Sequence, residues 1–204
     1  YKEQEQVGML LTGRVNIESW ESKQVKASFF NLKGDVFELL NKYGVTVQKE
    51  ESFDSELYSD AIQLFSQKMC IATLGVVSAK VSAQFDVNQP VYYAEIHWSN
   101  FEKAHLRSKK AYATISKYPA VRRDLALLVD KSVAYQSLKT LALRNSKGLL
   151  KEVNLFDVYE GDKLPEGKKS YALSFVLQDE NKTLNDKLIE KTMQQLIHSF
   201  EKDF

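Results

Sequence analysis

The sequence predicts an α+β protein: an antiparallel sheet with covering helices, followed by a second unit in which strands and helices alternate. Three observations carry this. Tyr171, Leu173, Phe175 and Leu177 alternate with Ala172, Ser174, Val176 and Gln178, the period of two of a half-buried strand. Ile189, Met193, Leu196, Ile197, Phe200 and Phe204 fall on one face of a helix. Between the two halves, residues 99–111 are charged and follow neither period, so a domain boundary is placed there, with units over 1–104 and 111–204.

In order, Val7 to Thr12 reads as a strand, and residues 16–27 carry Trp20 among charged and small residues without a clear assignment. Leu32, Val36, Leu39, Leu40 and Tyr43 follow helical spacing, with Asn31 placed as N-cap and Gly44 at the left-handed position after the last turn. Val45-Thr46-Val47 is β-rich and leads into an acidic loop. Ala61–Phe65 and Met69–Leu74 read as a hairpin turning at Ser66-Gln67-Lys68, residues 75–85 have room for a short helix, and Pro90 introduces a strand over Val91–Trp98. In the second half, Leu125–Val129 is a short apolar run bounded by Asp124 and Asp130. A helix capped by Ser132 carries Leu138, Leu141 and Ala142 and stops at Gly148. Leu149–Tyr159 is β-like, residues 160–167 form a turn with two glycines and a proline, and Thr183 or Asn185 starts the last helix. Strand–helix–strand–strand–helix is a split βαβ of ferredoxin type that lacks its final strand.

Composition excludes several classes of function. With 28 Lys+Arg against 27 Asp+Glu there is no basic arm to grip nucleic acid indiscriminately. Residues 1–110 hold 13 basic and 14 acidic side chains and residues 111–204 hold 15 and 13, so a nucleic-acid contact must be local and shaped. Cys70 is alone, which rules out a disulfide framework and favours a reducing, intracellular home. No apolar run approaches the roughly 18 residues of a membrane span. The polar start Tyr1-Lys2-Glu3-Gln4 is expected of a piece of something longer. His97, His105 and His198 are scattered without ligand spacing, Cys70 reads as a core residue, Glu50-Glu51 as solvated loop charge, and none of the phosphate-loop, nucleophile-elbow or zinc-helix motifs occurs. No catalytic residue and no metal site is assigned.

The stretch most loaded with chemistry is Tyr118-Pro119-Ala120-Val121-Arg122-Arg123-Asp124, which runs straight into the apolar strand. Pro119 fixes its own φ and holds Tyr118 extended, so the approach is rigid. Neighbouring strand residues point to opposite faces, so at most one of Arg122 and Arg123 belongs to the packing side and the other is free for a partner. Either could meet RNA phosphate or a base edge, or pair with Asp124 or Asp157; Arg122 is preferred for RNA and Arg123, beside Asp124, for the fold. Lys168-Lys169 after a glycine turn suit a phosphate or a solubilising role. Phe156 and Tyr159 flank Asp157. Phe156 reads more readily as core, and Tyr159 divides between core and the stacking of an unpaired base.

Residues 112–204 resemble the ferredoxin-fold anticodon-binding domain that closes the β subunit of bacterial phenylalanyl-tRNA synthetase. The resemblance rests on Ile115-Ser116-Lys117-Tyr118-Pro119, Val121–Leu127, Leu155-Phe156-Asp157-Val158-Tyr159, Gly161, Pro165–Ser170, and Thr183-Leu184 with Asp186, in the family's order and spacing. The first half is similar to the end of the catalytic-like domain that precedes it, through Phe29–Val36 and Phe85-Asp86-Val87 with Pro90-Val91-Tyr92. It departs from the family at Leu57-Tyr58-Ser59-Asp60, where a His-Pro-Gly-Arg-type segment is usual. The resemblance implies a cytoplasmic, non-catalytic piece of a ligase that binds the anticodon region of tRNA(Phe) through Arg122, Arg123, Tyr159, Lys168 and Lys169. It further implies an α subunit and a second β subunit as partners in a heterotetramer, and ATP with Mg2+ in the holoenzyme but no cofactor in this piece. The competing expectation is a ferredoxin-like regulatory or oligomerisation module, which near-neutral charge also suits.

Overall fold

The computed structural model describes residue 1 and residues 3–108, 114–146 and 148–204. The chain divides into two compact units, Tyr1–Tyr112 and Ala113–Phe204.

The first unit contains β1 (Gln6–Thr12), α1 (Phe29–Lys42), β2 (Lys49–Ser52), β3 (Tyr58–Ser66), β4 (Met69–Val77), α2 (Ala79–Ala83), β5 (Val91–His97) and α3 (Trp98–Leu106). Its five strands form an antiparallel sheet in the order β1-β5-β4-β3-β2. Strand alternation sends Met9, Leu11, Ile62, Leu64, Ala72, Leu74, Tyr92, Ala94 and Ile96 to one face, where α1 adds Leu32, Val36 and Leu40. The cap of α1 differs from the sequence expectation. Ser28, not Asn31, is the N-cap, and Asn31 sits three residues on, its Oδ1 accepting the Ser28 N–H at 3.0 Å in a capping box. Gly44 takes φ +73°, the left-handed turn-off that the sequence assigned to it. Val45 is not in a strand; it is buried beneath the helix end, and the sheet resumes at Lys49. The charged segment after β5 is helical for most of its length. In α3 only Phe101 and Ala104 are fully buried, so two inward positions on a polar helix anchor it to the sheet.

The second unit contains β6 (Val121–Asp130), α4 (Tyr135–Asn145), β7 (Leu150–Tyr159), β8 (Lys168–Leu177) and α5 (Asp186–Asp203). Its antiparallel sheet runs β6-β8-β7, the arrangement of a ferredoxin-type fold with three strands among the described residues. Asn185 caps α5, its side chain accepting the Leu188 N–H at 2.9 Å. α4 begins two residues later than expected, with Ala134 rather than Ser132 at its cap and no side-chain bond there. The core is Leu138 and Ala142 of α4, Ile189, Leu196 and Phe200 of α5, and Leu173, Phe175 and Leu177 of β8. Each such aliphatic or aromatic side chain contributes about 1.5–3 kcal/mol by leaving water, which is why a three-stranded sheet holds two helices. Both helices cover one face. The opposite face of β6-β8-β7 carries the candidate site.

Candidate nucleic-acid interface

Register decides what stands on the uncovered face. Val121, Leu125, Leu127 and Val129 of β6 turn to the helices, so Arg122, Asp124, Ala126, Leu128 and Asp130 turn away. Across from them in β8 stand Val176, Ser174, Ala172, Ser170 and Lys168. In β7 the same rows hold Glu152, Asn154, Asp157 and Tyr159. Phe156 has the parity of Glu152 and Asn154 and turns outward with them, and a bulge between Leu155 and Asp157 brings Asp157 and Tyr159 to the same face. The result is a shallow trough. The central strand offers small side chains, and Arg122 and Leu128 rise on one flank with Phe156 and Tyr159 on the other.

Two flanking groups meet at one corner. The Arg122 guanidinium lies over the Phe156 ring, 5.4 Å from its centroid, while its Nε donates to Asp124 Oδ1 at 2.8 Å. Phe156 is half exposed and Tyr159 nearly so, and the Tyr159 ring folds back over Gly161, where any side chain would collide with it. Tyr135 braces the strand from behind, its hydroxyl donating to the Val153 carbonyl at 2.7 Å; burial, then the Glu152 carboxylate, raise that phenol above its ordinary range. The approach to β6 is held by Gln178, whose side-chain amide donates to the Tyr118 carbonyl at 2.7 Å.

The five residues singled out from the sequence do not fall on one surface. Arg122, Tyr159 and Lys168 share the uncovered face, with Lys168 paired to Asp130 at 2.9 Å. Arg123 has the opposite parity and is exposed, donating to the Arg122 carbonyl at 3.0 Å. Asp124 is the partner of Arg122, not of Arg123 as adjacency suggested, because alternate residues of a strand share a face. Lys169 turns inward, 8% exposed, its Nζ donating to the Lys131 carbonyl at 2.7 Å and lying 4.6 Å from the Tyr171 ring centroid. Phe156, read as core, is on the surface, on the side opposite its inward neighbours Val153 and Leu155; the bulge that brings Tyr159 to the same side has no sequence signal of its own. The face as a whole is not electropositive. Arg122 and Lys168 stand among Asp124, Asp130, Glu152 and Asp157, so what it offers a ligand is stacking and shape more than charge. Among the described residues no group of three or more His, Cys, Asp or Glu side chains is placed to hold a metal ion.

Comparison with known proteins gives this geometry a lineage. Residues 116–204 match the family described as ferredoxin-fold anticodon binding domain, and residues 1–98 match the phenylalanyl tRNA synthetase beta chain CLM domain. Both descriptions are of domains found in aminoacyl-tRNA synthetases. Relatives named phenylalanine–tRNA ligase beta subunit are 42% identical in Bacteroides fragilis, 40% in Bacteroides thetaiotaomicron and 37% in Porphyromonas gingivalis, each over 98% of this chain. The chain belongs to the phenylalanyl-tRNA synthetase β-chain family, and it spans about a quarter (25%) of the length of these relatives.

Proposed function

We propose that this chain is a non-catalytic part of phenylalanine–tRNA ligase, in which residues 111–204 bind the anticodon region of tRNA(Phe) and residues 1–104 form scaffold. The reading is supported above all by the corner where Arg122 lies over Phe156 beside Tyr159, above a central strand of small residues. Aromatic rings flanking an open trough accept unpaired bases by stacking, and an arginine plane adds to the same stack. Phe156 and Tyr159 are assigned the stacking role, and Arg122 and Lys168 the phosphates or base edges. Arg123, at the margin, makes at most a phosphate contact, and Lys169 supports the fold.

Binding at this distance from the chemistry works by positioning. Holding the anticodon end orients the acceptor end towards a reaction centre on the α subunit, where ATP and Mg2+ activate phenylalanine in the cytoplasmic heterotetramer. The face offers two cations, and each neutralised phosphate of a single strand contributes about 0.7 to the salt slope, so the slope should be shallow, about −1 to −1.5. A filter-binding titration with tRNA(Phe) over a range of salt tests the reading. Saturable binding with that slope, weakened in Phe156→Ala by the about 1–3 kcal/mol of one base stack, is the expected result; no binding, or binding indifferent to Phe156, refutes it. Pyrophosphate exchange by the pure chain should stay at background.

A further inference from the structure

Between β1 and α1 the chain runs out and back over residues 13–27, and its two arms meet at one antiparallel bridge, Arg14 opposite Lys26. The bonds on either side fix its kind. The Val15 N–H donates to the Val25 carbonyl and the Ala27 N–H to the Gly13 carbonyl, both at 2.9 Å. Arg14 and Lys26 are therefore a non-hydrogen-bonded pair, the arrangement that brings opposing residues closest, with Cα atoms about 4.5 Å apart and side chains on one side. Like charges directly opposite each other destabilise a pair of strands.

Nothing in the loop relieves this repulsion. Glu18 and Glu21, the acids of the same loop, pair with neither cation, and among the described residues no carboxylate forms an ion pair with Arg14 or Lys26. In the same unit Lys33 and Lys49 are matched by Glu50 and Glu51. The Arg14–Lys26 bridge thus presents two unmatched positive charges at one point of the surface.

The second observation is the cavity that both side chains border. About 320 Å³ is enclosed by Arg14 and Lys26 together with Ala27, Gln89, Pro90 and Tyr92. No acidic side chain among the described residues lines it. Its floor is firm: Ala27 is buried, and Tyr92 is half-buried and packed against the core of the unit. The Thr12 hydroxyl donates to the Pro90 carbonyl at 2.8 Å, tying the end of β1 to the entry of β5, and Pro90 fixes its own φ. Gly13 turns the chain into Arg14 at φ +76°, and nothing stands within 4 Å of where a Cβ would lie, which leaves that side open. Arg14, Lys26 and Gln89 are exposed, so a molecule from solution reaches all three.

We propose that this cavity binds a small molecule carrying a phosphate monoester on a flat body. The phosphate sits between the Arg14 guanidinium and the Lys26 ammonium, and the body lies against Pro90 and Tyr92 with the Gln89 amide at its polar edge. Charge selects the group: a monoester carries about −1.5 to −2 at neutral pH, whereas a carboxylate or a phosphodiester brings a single charge to two cations. Donor geometry agrees, since the arginine fork matches phosphate oxygens and the lysine acts as a point charge. Size limits the body, because about 320 Å³ lies at the low end of the roughly 300–1,000 Å³ of ligand pockets. The site belongs to the first unit alone and does not rest on the RNA-binding reading of the second.

Calorimetry with three probes tests it: phenyl phosphate, benzenesulfonate, which keeps the ring with one charge, and inorganic phosphate, which keeps the charge without the ring. Phenyl phosphate should bind saturably and about tenfold more tightly than either, the scale of one hydrogen bond to a charged group. Lys26→Glu should abolish this binding while the ligand-free protein melts at the same temperature or higher, because opposite charges then face each other across the bridge. Arg14→Gln should weaken binding at least about tenfold, again without earlier melting. Equal binding of the three probes, binding of none, or variants that bind as the parent does overturn the proposal. Variants that melt earlier would give the two cations a structural role and overturn it too. A single-stranded oligonucleotide without a terminal phosphate that displaces phenyl phosphate at equal phosphate concentration would assign the pair to RNA backbone instead. Binding by the 204-residue chain that the full-length β chain lacks is equally adverse, since another segment would then cover the cavity.

Discussion

The two units share a plan and part company on one surface. Each lays two helices on one face of an antiparallel sheet and leaves much of the other face uncovered. In the second unit that face is a trough of small residues flanked by Arg122, Phe156 and Tyr159. In the first it carries Glu95, Thr73, Tyr58 and Tyr93 beside an apolar cavity. Helix-facing positions are confined to close-packed apolar side chains, whereas the alternate positions are free to differ. The same architecture therefore presents an aromatic–cationic face in one place and a carboxylate–hydroxyl face in the other, and the alternate residues, not the fold, set the chemistry each face offers.

The largest effect that would test this division comes from the cores. Phe175→Ala empties a fully buried site beside Phe200 and should cost about 3–5 kcal/mol, abolishing tRNA(Phe) binding with it. Leu74→Ala in the first unit should cost about 2–5 kcal/mol yet leave tRNA binding intact. Calorimetry together with filter binding separates the two, and loss of RNA binding in Leu74→Ala would break the comparison. Next in size, Phe156→Ala should weaken tRNA binding by about 1–3 kcal/mol with an unchanged melting temperature, because the ring is on the surface.

Smaller still is the contrast between the adjacent lysines. Lys169→Met leaves the Lys131 carbonyl without its donor and should lower stability by about 1 kcal/mol with RNA binding unaffected; Lys168→Met should flatten the salt slope by about 0.7 without lowering the melting temperature. The arginine pair should differ in binding more than in melting: both side chains are exposed, and the Arg122–Asp124 pair contributes about 0–1 kcal/mol.

The smallest effect is alkaline. Burial, then Glu95, raise Tyr58 and Tyr93, and burial raises Cys70, all on the first unit's uncovered face. A group whose ionisation is raised on folding holds its proton more tightly in the native state. Its contribution is complete below the unfolded value and is lost as pH rises through it, here above about 10 for the tyrosines. Trp20 and Trp98 both lie in the first unit, so their emission should report earlier denaturant unfolding as pH passes 10. An emission midpoint constant from pH 8 to 11 would contradict the assignment.

How much of this was legible beforehand follows physical lines. The amphipathic helices α1 and α5, the strict alternation of β8 and the ferredoxin-type order are periodic, and periodicity survives in one dimension. Helix α3 was not legible, because two buried residues among seven exposed or half-exposed ones leave too faint a stripe. Nor was the cap of α1, where Ser28 and Asn31 exchange bonds and either residue alone suits the position. The candidate site was half legible. Arg122, Lys168 and Phe156 reach the uncovered face, and Lys169 the covered one, by parity that could be counted along each strand from its inward apolar residues. Tyr159 could not be placed by counting. A bulge adds one residue after Leu155 and reverses the face of Asp157 and Tyr159, while the long stem of Lys169 lets its charge end inside, on a carbonyl and a ring.

By itself, then, the sequence determined the strongly periodic elements α1, α5 and β8, the ferredoxin-type order of the second unit, and the near-neutral charge that limits nucleic-acid binding to a shaped contact. Only the tertiary structure decided which side chains share a surface. Pairing register, the bulge after Leu155 and the space that Gly8 leaves to Tyr93 and Gly75 to Tyr58 arise between strands far apart in the chain, where no local pattern records them.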